Sequence, residues 1–219
     1  MTETLVLEDP AGECAGRLAA AAAAGSHIAL TGGSTPRVAY ERLAGMDVDW
    51  SGTTLWFGDD RCVPPDDELS NYRMAKEALL DRLPSEDEGG PAVKRILGER
   101  GPHAGADDYE RQLRATLGEE LPRLDVVLLG LGPDAHVASL FPGQPTLEVQ
   151  DRLAVGVEEA GMEPYVPRVS LTLPSGAVGR AFGDEPDPGA PGSRVRPHSG
   201  ELTVLLDAGA ARGLTGASE

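Results

Sequence analysis

Apolar and polar positions along the chain follow two alternating rhythms. Short apolar runs are separated by longer stretches in which apolar residues recur every three or four positions. Alternating strand and helix patterns of this kind predict an α/β sheet protein. The strand-like runs are His27–Thr31 (HIALT), Thr54–Phe57 (TLWF), Val93–Leu97, Leu124–Leu129 (LDVVLL), Leu153–Val157 and Val169–Leu173. Leu124–Leu129 is the clearest buried strand among them. The helical stretches begin with residues 10–24, which open on Pro10 and run Ala-rich to a glycine stop at Gly25. A second helix starts at Pro36 and runs to about Leu43. A third is capped by Ser70 or Asn71 and ends near Leu83. Ala106–Leu117 carries Tyr109, Leu113 and Leu117 on one face. Leu202–Arg212 reads as a short strand followed by a C-terminal helix. Ser85–Pro91 and residues 183–200 read as loops. With neither an internal repeat nor a linker of domain-boundary character, residues 1–219 are expected to form a single domain.

Composition narrows the partners. The 219 residues are 40% hydrophobic and 25% charged, ordinary for a globular protein and enough for a sizeable core. Lys plus Arg number 19 against 36 Asp plus Glu, a net charge of −17. Such a chain repels a phosphate backbone, so no nucleic-acid partner is expected. An anionic small molecule can still bind, but only through a local cluster of Arg or of backbone N–H groups. Lysine is confined to Lys76 and Lys94. The two cysteines, Cys14 and Cys62, make neither a disulfide framework nor a zinc pattern and read as idle thiols. No stretch approaches the ~18 apolar residues of a membrane span. Met1–Pro10 is acidic, without the regions of a signal peptide, and the expected compartment is the cytoplasm.

Three loops carry candidate chemistry, each placed where a strand has just ended, the usual ligand position in open α/β sheets. In Thr31–Pro36 (TGGSTP), Gly32 and Gly33 allow close backbone approach and Ser34 and Thr35 offer hydroxyls. The helix N-terminus that follows suits a phosphate dianion, although a plain capped turn would look the same locally. Gly58–Arg61 (GDDR) sets Asp59, Asp60 and Arg61 at a strand end, to orient a hydroxyl, neutralise an anion, or simply form a solvated ion-paired turn. In Gly130–His136 (GLGPDAH), Asp134 precedes His136 by two residues. A carboxylate so placed can hold the imidazole in the tautomer that leaves one ring nitrogen free as a base. His27, His103 and His198 suit surface roles.

The segments LTGGSTPRVAYERLA (Leu30–Ala44), WFGDDRCVPPDDELSNYRMAKEALL (Trp56–Leu80) and DVVLLGLGPDAHVASLFPG (Asp125–Gly143) resemble the 6-phosphogluconolactonases. RVSLTLP (Arg168–Pro174) and SRVRPHSGELTVLLDAGAA (Ser193–Ala211) do so too. The resemblance implies the fold shared with glucosamine-6-phosphate deaminases, a doubly wound, mostly parallel α/β sheet. It implies hydrolysis of 6-phospho-D-glucono-1,5-lactone to 6-phosphogluconate in the oxidative pentose phosphate pathway. Residue by residue, it implies a phosphate loop at Gly32, Gly33, Ser34 and Thr35, substrate contacts at Asp59 and Arg61, and a phosphate contact at Arg168. It implies His136 as general base with Asp134 beside it, and no metal or organic cofactor. A histidine's ordinary pKa near 6.5 suits removal of a proton from water, and backbone N–H groups around Gly132–His136 or a guanidinium could hold the oxyanion.

The chain also departs from the family. Where the family commonly reads GPDGHTASLFPG, this chain has Ala135 and Val137. A positive φ at that glycine would strain alanine by about 1 kcal/mol. Set against the family pattern, a strand–helix unit is expected to be missing after Pro174, near residue 175, and with it a lysine the family can use at the phosphate. These changes keep a second reading open, a catalytically impaired phosphosugar-binding remnant. A deaminase of the same fold fits less well. Its third motif has a Glu five residues beyond the His, where this chain has Phe141, and its second has Asp-Glu-Tyr in place of Asp59-Asp60-Arg61.

Overall fold

The computed structural model describes residues 2–118, 123–172, 191–195 and 200–213. In chain order its strands and α-helices are β1 (Thr2–Val6), α1 (Pro10–Ala23), β2 (His27–Leu30), α2 (Ser34–Leu43), β3 (Thr54–Phe57), β4 (Asp59–Arg61), α3 (Asn71–Ala78), β5 (Ala92–Val93), α4 (Pro102–Leu117), β6 (Val126–Val127), β7 (Ala154–Val157), β8 (Arg168–Leu171) and β9 (Leu202–Leu206). The fold is mixed α/β. A parallel sheet runs in the order β5-β3-β2-β6, β1 pairs in parallel with β9, and β4-β8-β7 form an antiparallel sheet. Among the described residues, no helix is long and apolar enough to cross a membrane.

Local chemistry accounts for the helices. The Asp9 carboxylate accepts the Gly12 N–H at 3.2 Å and Pro10 opens α1, whose Ala11, Ala15, Leu18 and Ala22 face the core at helical spacing. Ser70 caps α3 by accepting the Arg73 N–H. The core holds Trp56, Tyr40, Tyr109 and Phe57. Two tyrosines tie helices to strand ends. The Tyr40 hydroxyl of α2 donates to the Thr31 carbonyl and accepts the Thr31 N–H, both at 2.9 Å. The Tyr109 hydroxyl of α4 does the same at Phe57, both at 2.8 Å. The carboxyl ends of β2 and β3 are thereby fixed by buried, fully paired groups.

Several sequence expectations shift. Leu124–Leu129, expected to be the clearest buried strand, shortens to Val126–Val127, and Val127 is 43% exposed. Among the described residues β6 pairs only with β2, so one edge and part of one face lack cover. Asp59–Arg61, expected as a turn, is strand β4, because the chain crosses from the parallel to the antiparallel sheet at Gly58. There the Gly58 N–H donates to Leu30 O and its carbonyl accepts from Leu171 N, each at 2.8 Å. Helix α2 begins at Ser34, two residues before Pro36, whose missing N–H falls in a first turn that has no use for it. The helix expected to reach Leu83 stops at Ala78 and continues as a 3₁₀ turn, Leu80–Arg82. Of Val93–Leu97 only Val93 is in a strand, β5 (Ala92–Val93), and α4 starts earlier than expected, at Pro102. Ala210–Gly213 is a 3₁₀ turn where a helix was expected. β1 was not expected at all, since its polar alternation hides a strand that needs β9 to form. The strand–helix unit expected to be missing near residue 175 falls at residues 173–190, outside the described residues, as does His198.

Candidate active site

The phosphate-loop candidates sit between β2 and α2. Thr31 is buried, Gly32 half-buried, and Gly33, Ser34 and Thr35 exposed. Gly33 has φ +117° and ψ 168°, a conformation open to glycine and strained for other residues. No side chain caps the N-terminus of α2. That end therefore presents N–H groups and the positive end of the helix dipole outward.

The second group lies on one face of the antiparallel sheet. Register pairs Asp59 with Ser170 and Arg61 with Arg168. Residues two apart in a strand share a face, so these four polar side chains form a patch. Arg168 is only 3% exposed. Its Nη2 donates to the Met162 and Pro164 carbonyls at 3.3 and 3.0 Å. Arg61 Nη1 donates to the Leu69 carbonyl at 2.6 Å. The Nε atoms of both arginines are buried and have no hydrogen-bond partner among the described residues. Burial, with the Arg61 charge adding to it, lowers the Arg168 pKa, while Asp59 works the other way. Two adjacent guanidinium groups with unmet donors favour an anion.

The third group is the loop after β6. The Asp134 Oδ1 lies 2.5 Å from His136 Nδ1 and accepts the His136 N–H at 3.2 Å. Burial raises the Asp134 pKa, but the His136 hydrogen bonds and charge outweigh it, and the carboxyl lies below its ordinary value. The His136 ring packs on Phe141 at a centroid distance of 4.8 Å, and the Arg168 guanidinium carbon sits 5.4 Å from the centre of the same ring. A Cβ on Gly132 would overlap His136 Cε1 and Nδ1, so this position admits only glycine beside the imidazole. Ala135 has φ +63° and Ala138 φ +49°. The expected strain at Ala135 is thus present, and these alanines are the positive-φ residues other than glycine among the described residues.

Hydrogen bonds join the second and third groups, and a close backbone approach brings the first beside them. The Asn71 Nδ2 donates to Asp59 O and Oδ1 at 3.0 and 3.2 Å. Ser139 Oγ donates to Asp59 Oδ2 at 2.6 Å, and the Ser139 N–H donates to Ser170 Oγ at 3.2 Å. A Cβ on Gly130 would stand 3.9 Å from the Gly32 carbonyl oxygen. Asp59, His136 and Arg168 thus lie in one region that reaches the Thr31–Thr35 loop. The side chains of Ser34 and Thr35 take no part in these links. Asp60 faces the opposite side of β4. Its carboxylate accepts the Asn71, Tyr72 and Arg61 N–H groups and the Ser70 hydroxyl. Burial pushes its pKa up to about 6 against those hydrogen bonds.

Sequence reasoning placed Asn71 only as a candidate helix cap and Phe141 only as a departure from the deaminases, and gave Ser139 and Ser170 no role, although all four lie in the quoted segments. No local signal marks their contacts, which span up to 80 residues of chain. His27 is half-buried rather than on the surface and accepts from Trp56 Nε1 at 3.3 Å. His103 is exposed and pairs with Glu158 at 2.8 Å. Burial raises the thiol pKa of Cys14 to about 11 and of Cys62 to about 12, in keeping with idle thiols.

Polar loops gathered at the carboxyl ends of parallel strands define a ligand-binding protein of the open α/β class. The family model described as glucosamine-6-phosphate isomerases/6-phosphogluconolactonase matches residues 5–182. The chain belongs to this family. It is 38% identical over 204 residues to a 6-phosphogluconolactonase of a Nostoc species, covering 84% of this chain and 82% of the relative. It is 34% identical over 200 residues to one from a Synechocystis species, covering 82% and 81%. The solved 6-phosphogluconolactonase of Trypanosoma brucei superposes with a TM-score of 0.81 at 26% identity, covering 98% of this chain and 99% of that one.

Proposed function

We propose that this chain hydrolyses 6-phospho-D-glucono-1,5-lactone to 6-phospho-D-gluconate in the oxidative pentose phosphate pathway, with His136 activating water. The observation that carries the reading is the 2.5 Å pairing of Asp134 with His136 Nδ1 in the loop after β6. It leaves Nε2 to remove a proton from water as the oxygen attacks the lactone carbonyl. The tetrahedral oxyanion then collapses, the ring C–O bond breaks, and the imidazolium returns its proton to the leaving oxygen. Asp134 holds the tautomer and stabilises the imidazolium. A lactone is a reactive ester, so the step calls for no cofactor.

The oxyanion partner is a guanidinium. Gly132 N–H donates to His136 O, Ala135 N–H to Gly132 O, and His136 N–H to Asp134, so these loop amides are already engaged. Among the described residues Arg61 retains an unmet Nε donor that can serve the oxyanion. The 6-phosphate is read by Gly32, Gly33, Ser34 and Thr35 at the α2 N-terminus together with Arg168, while Asp59 orients the neighbouring donors.

The test is hydrolysis of freshly made lactone, corrected for spontaneous opening. A saturable rate above background is expected, and a background rate from protein shown to be folded would overturn the reading. Arg168→Ala should raise KM for the phosphorylated lactone by about tenfold or more, the scale of a lost charge-assisted hydrogen bond. The unphosphorylated lactone should be far less affected. Equal effects on both would remove Arg168 from the phosphate site.

A further inference from the structure

We infer that Asn71 is a positioning residue for the phosphate loop. The inference rests on the proposed phosphate recognition and extends it to a side chain outside the three loops. Asn71 is the first residue of α3 and is buried. Its backbone is pinned, since its N–H donates to the Asp60 carboxylate at 2.7 Å and the neighbouring Tyr72 N–H donates to the same group at 3.1 Å. Its side chain is pinned as well, because Nδ2 donates to both the carbonyl and the carboxylate of Asp59. With the nitrogen turned to Asp59, the rest of the amide rests against Gly32. A Cβ built on Gly32 would overlap Asn71 Oδ1, approach Cγ to 2.6 Å and approach Nδ2 to 3.0 Å.

Gly32 therefore packs against the Asn71 amide with no room for a side chain, and the amide is bonded to Asp59. On its far side, Asp59 Oδ2 accepts the Ser139 hydroxyl, three residues beyond His136. The order is phosphate loop, Asn71, Asp59, His136 loop. Asn71 sets the level of Gly32 relative to a carboxylate that also holds the loop of the catalytic base. A displacement of this kind, far smaller than a side chain, is enough to misalign backbone donors toward a phosphate.

The test replaces Asn71 by Leu, which keeps the volume and removes the amide. In Asn71→Leu, KM for the phosphorylated lactone should rise about tenfold, and the Kd for inorganic phosphate, measured by calorimetry, should rise by a similar factor. KM for unphosphorylated gluconolactone should change less than twofold. A purely structural role lowers the amount of active protein, and so apparent kcat, without moving KM or Kd. Unchanged phosphate binding, or equal shifts with both lactones, overturns the inference. A wild type that hydrolyses neither lactone overturns the proposed function, and the phosphate titration still decides the role of Asn71. If Asn71→Leu does not fold, Asn71→Ala removes the same amide without crowding Gly32 and must give the same split. Phosphate affinity equal to wild type in folded Asn71→Ala overturns the inference too.

Discussion

The two halves of the candidate site are built in opposite ways. The phosphate loop leaves a regular buried strand, enters a regular helix, and is held by Tyr40 through two backbone hydrogen bonds. Its unusual conformation falls on Gly33, which tolerates it. The His136 loop leaves a two-residue strand and enters no helix. It contains two positive-φ alanines and is fixed by side chains: Asp134 on the imidazole, Ser139 on Asp59, and Phe141 under both His136 and Arg168. One half takes its geometry from secondary structure and the other from polar and aromatic cross-links that carry strain. On the proposed roles, groups that only bind can sit at element ends, whereas a general base needs an aim that no helix or strand supplies here.

The largest expected effect falls on the strained half. His136→Asn should lower kcat by roughly 10²–10⁴-fold with little change in melting temperature, the usual share of a general base. Retention of most of the rate would remove the role. Gly132→Ala comes next. Its new methyl occupies the imidazole position, and displacement of a catalytic group by about 1 Å can cost roughly 10²-fold in kcat. Wild-type turnover in this variant would show that the ring does not rest against Gly132 during catalysis.

A smaller effect separates the halves by sign. Ala135→Gly should stabilise the protein by about 0.5–1 kcal/mol, since relief of about 1–2 kcal/mol of left-handed strain exceeds the added unfolded-state entropy. Ala39→Gly, in the buried face of α2, should destabilise it by about 1 kcal/mol or more. Denaturant midpoints of the two variants are the measurement, and shifts of the same sign would erase the contrast. The smallest effect concerns Asp60. Its folded pKa of about 6 lies above the ordinary carboxylate value, so the folded state binds the proton more tightly. Its contribution to stability falls as pH rises from about 4 to 6. The stability difference between wild type and Asp60→Asn should therefore widen as pH drops through that window. A pH-independent difference would show that the hydrogen bonds offset burial and leave the Asp60 pKa at its unfolded value, and a difference that narrows as pH drops would show that they outweigh it.

Much of this arrangement was legible in the chain. The apolar runs HIALT and TLWF mark β2 and β3 to within a residue, because strands buried on both faces leave continuous apolar sequence. Pro10, Ser70 and the face of Tyr109 and Leu113 mark helices whose signals are local. The motif segments identified the strand-end loops, and the resemblance drew them into a single reading. The departure at Ala135 foretold a strained backbone, since a left-handed position disfavours any residue with a Cβ.

Features that depend on partners distant in sequence were not legible. LDVVLL looks buried, yet its burial depends on what lies across the β6 edge, and Val127 stands 43% exposed. The strand character of Asp59–Arg61 exists only because Arg168–Leu171 runs antiparallel beside it. β1 needs β9, about two hundred residues away, to become a strand. The Asp59–Asn71–Ser139 connection is of the same kind, with hydrogen bonds spanning 12 and 80 residues of chain. Sequence by itself determined the local elements, the chemical groups and the family. Tertiary structure alone decided which polar groups meet, because a buried donor is satisfied by whatever acceptor the fold brings to it, at any separation along the chain.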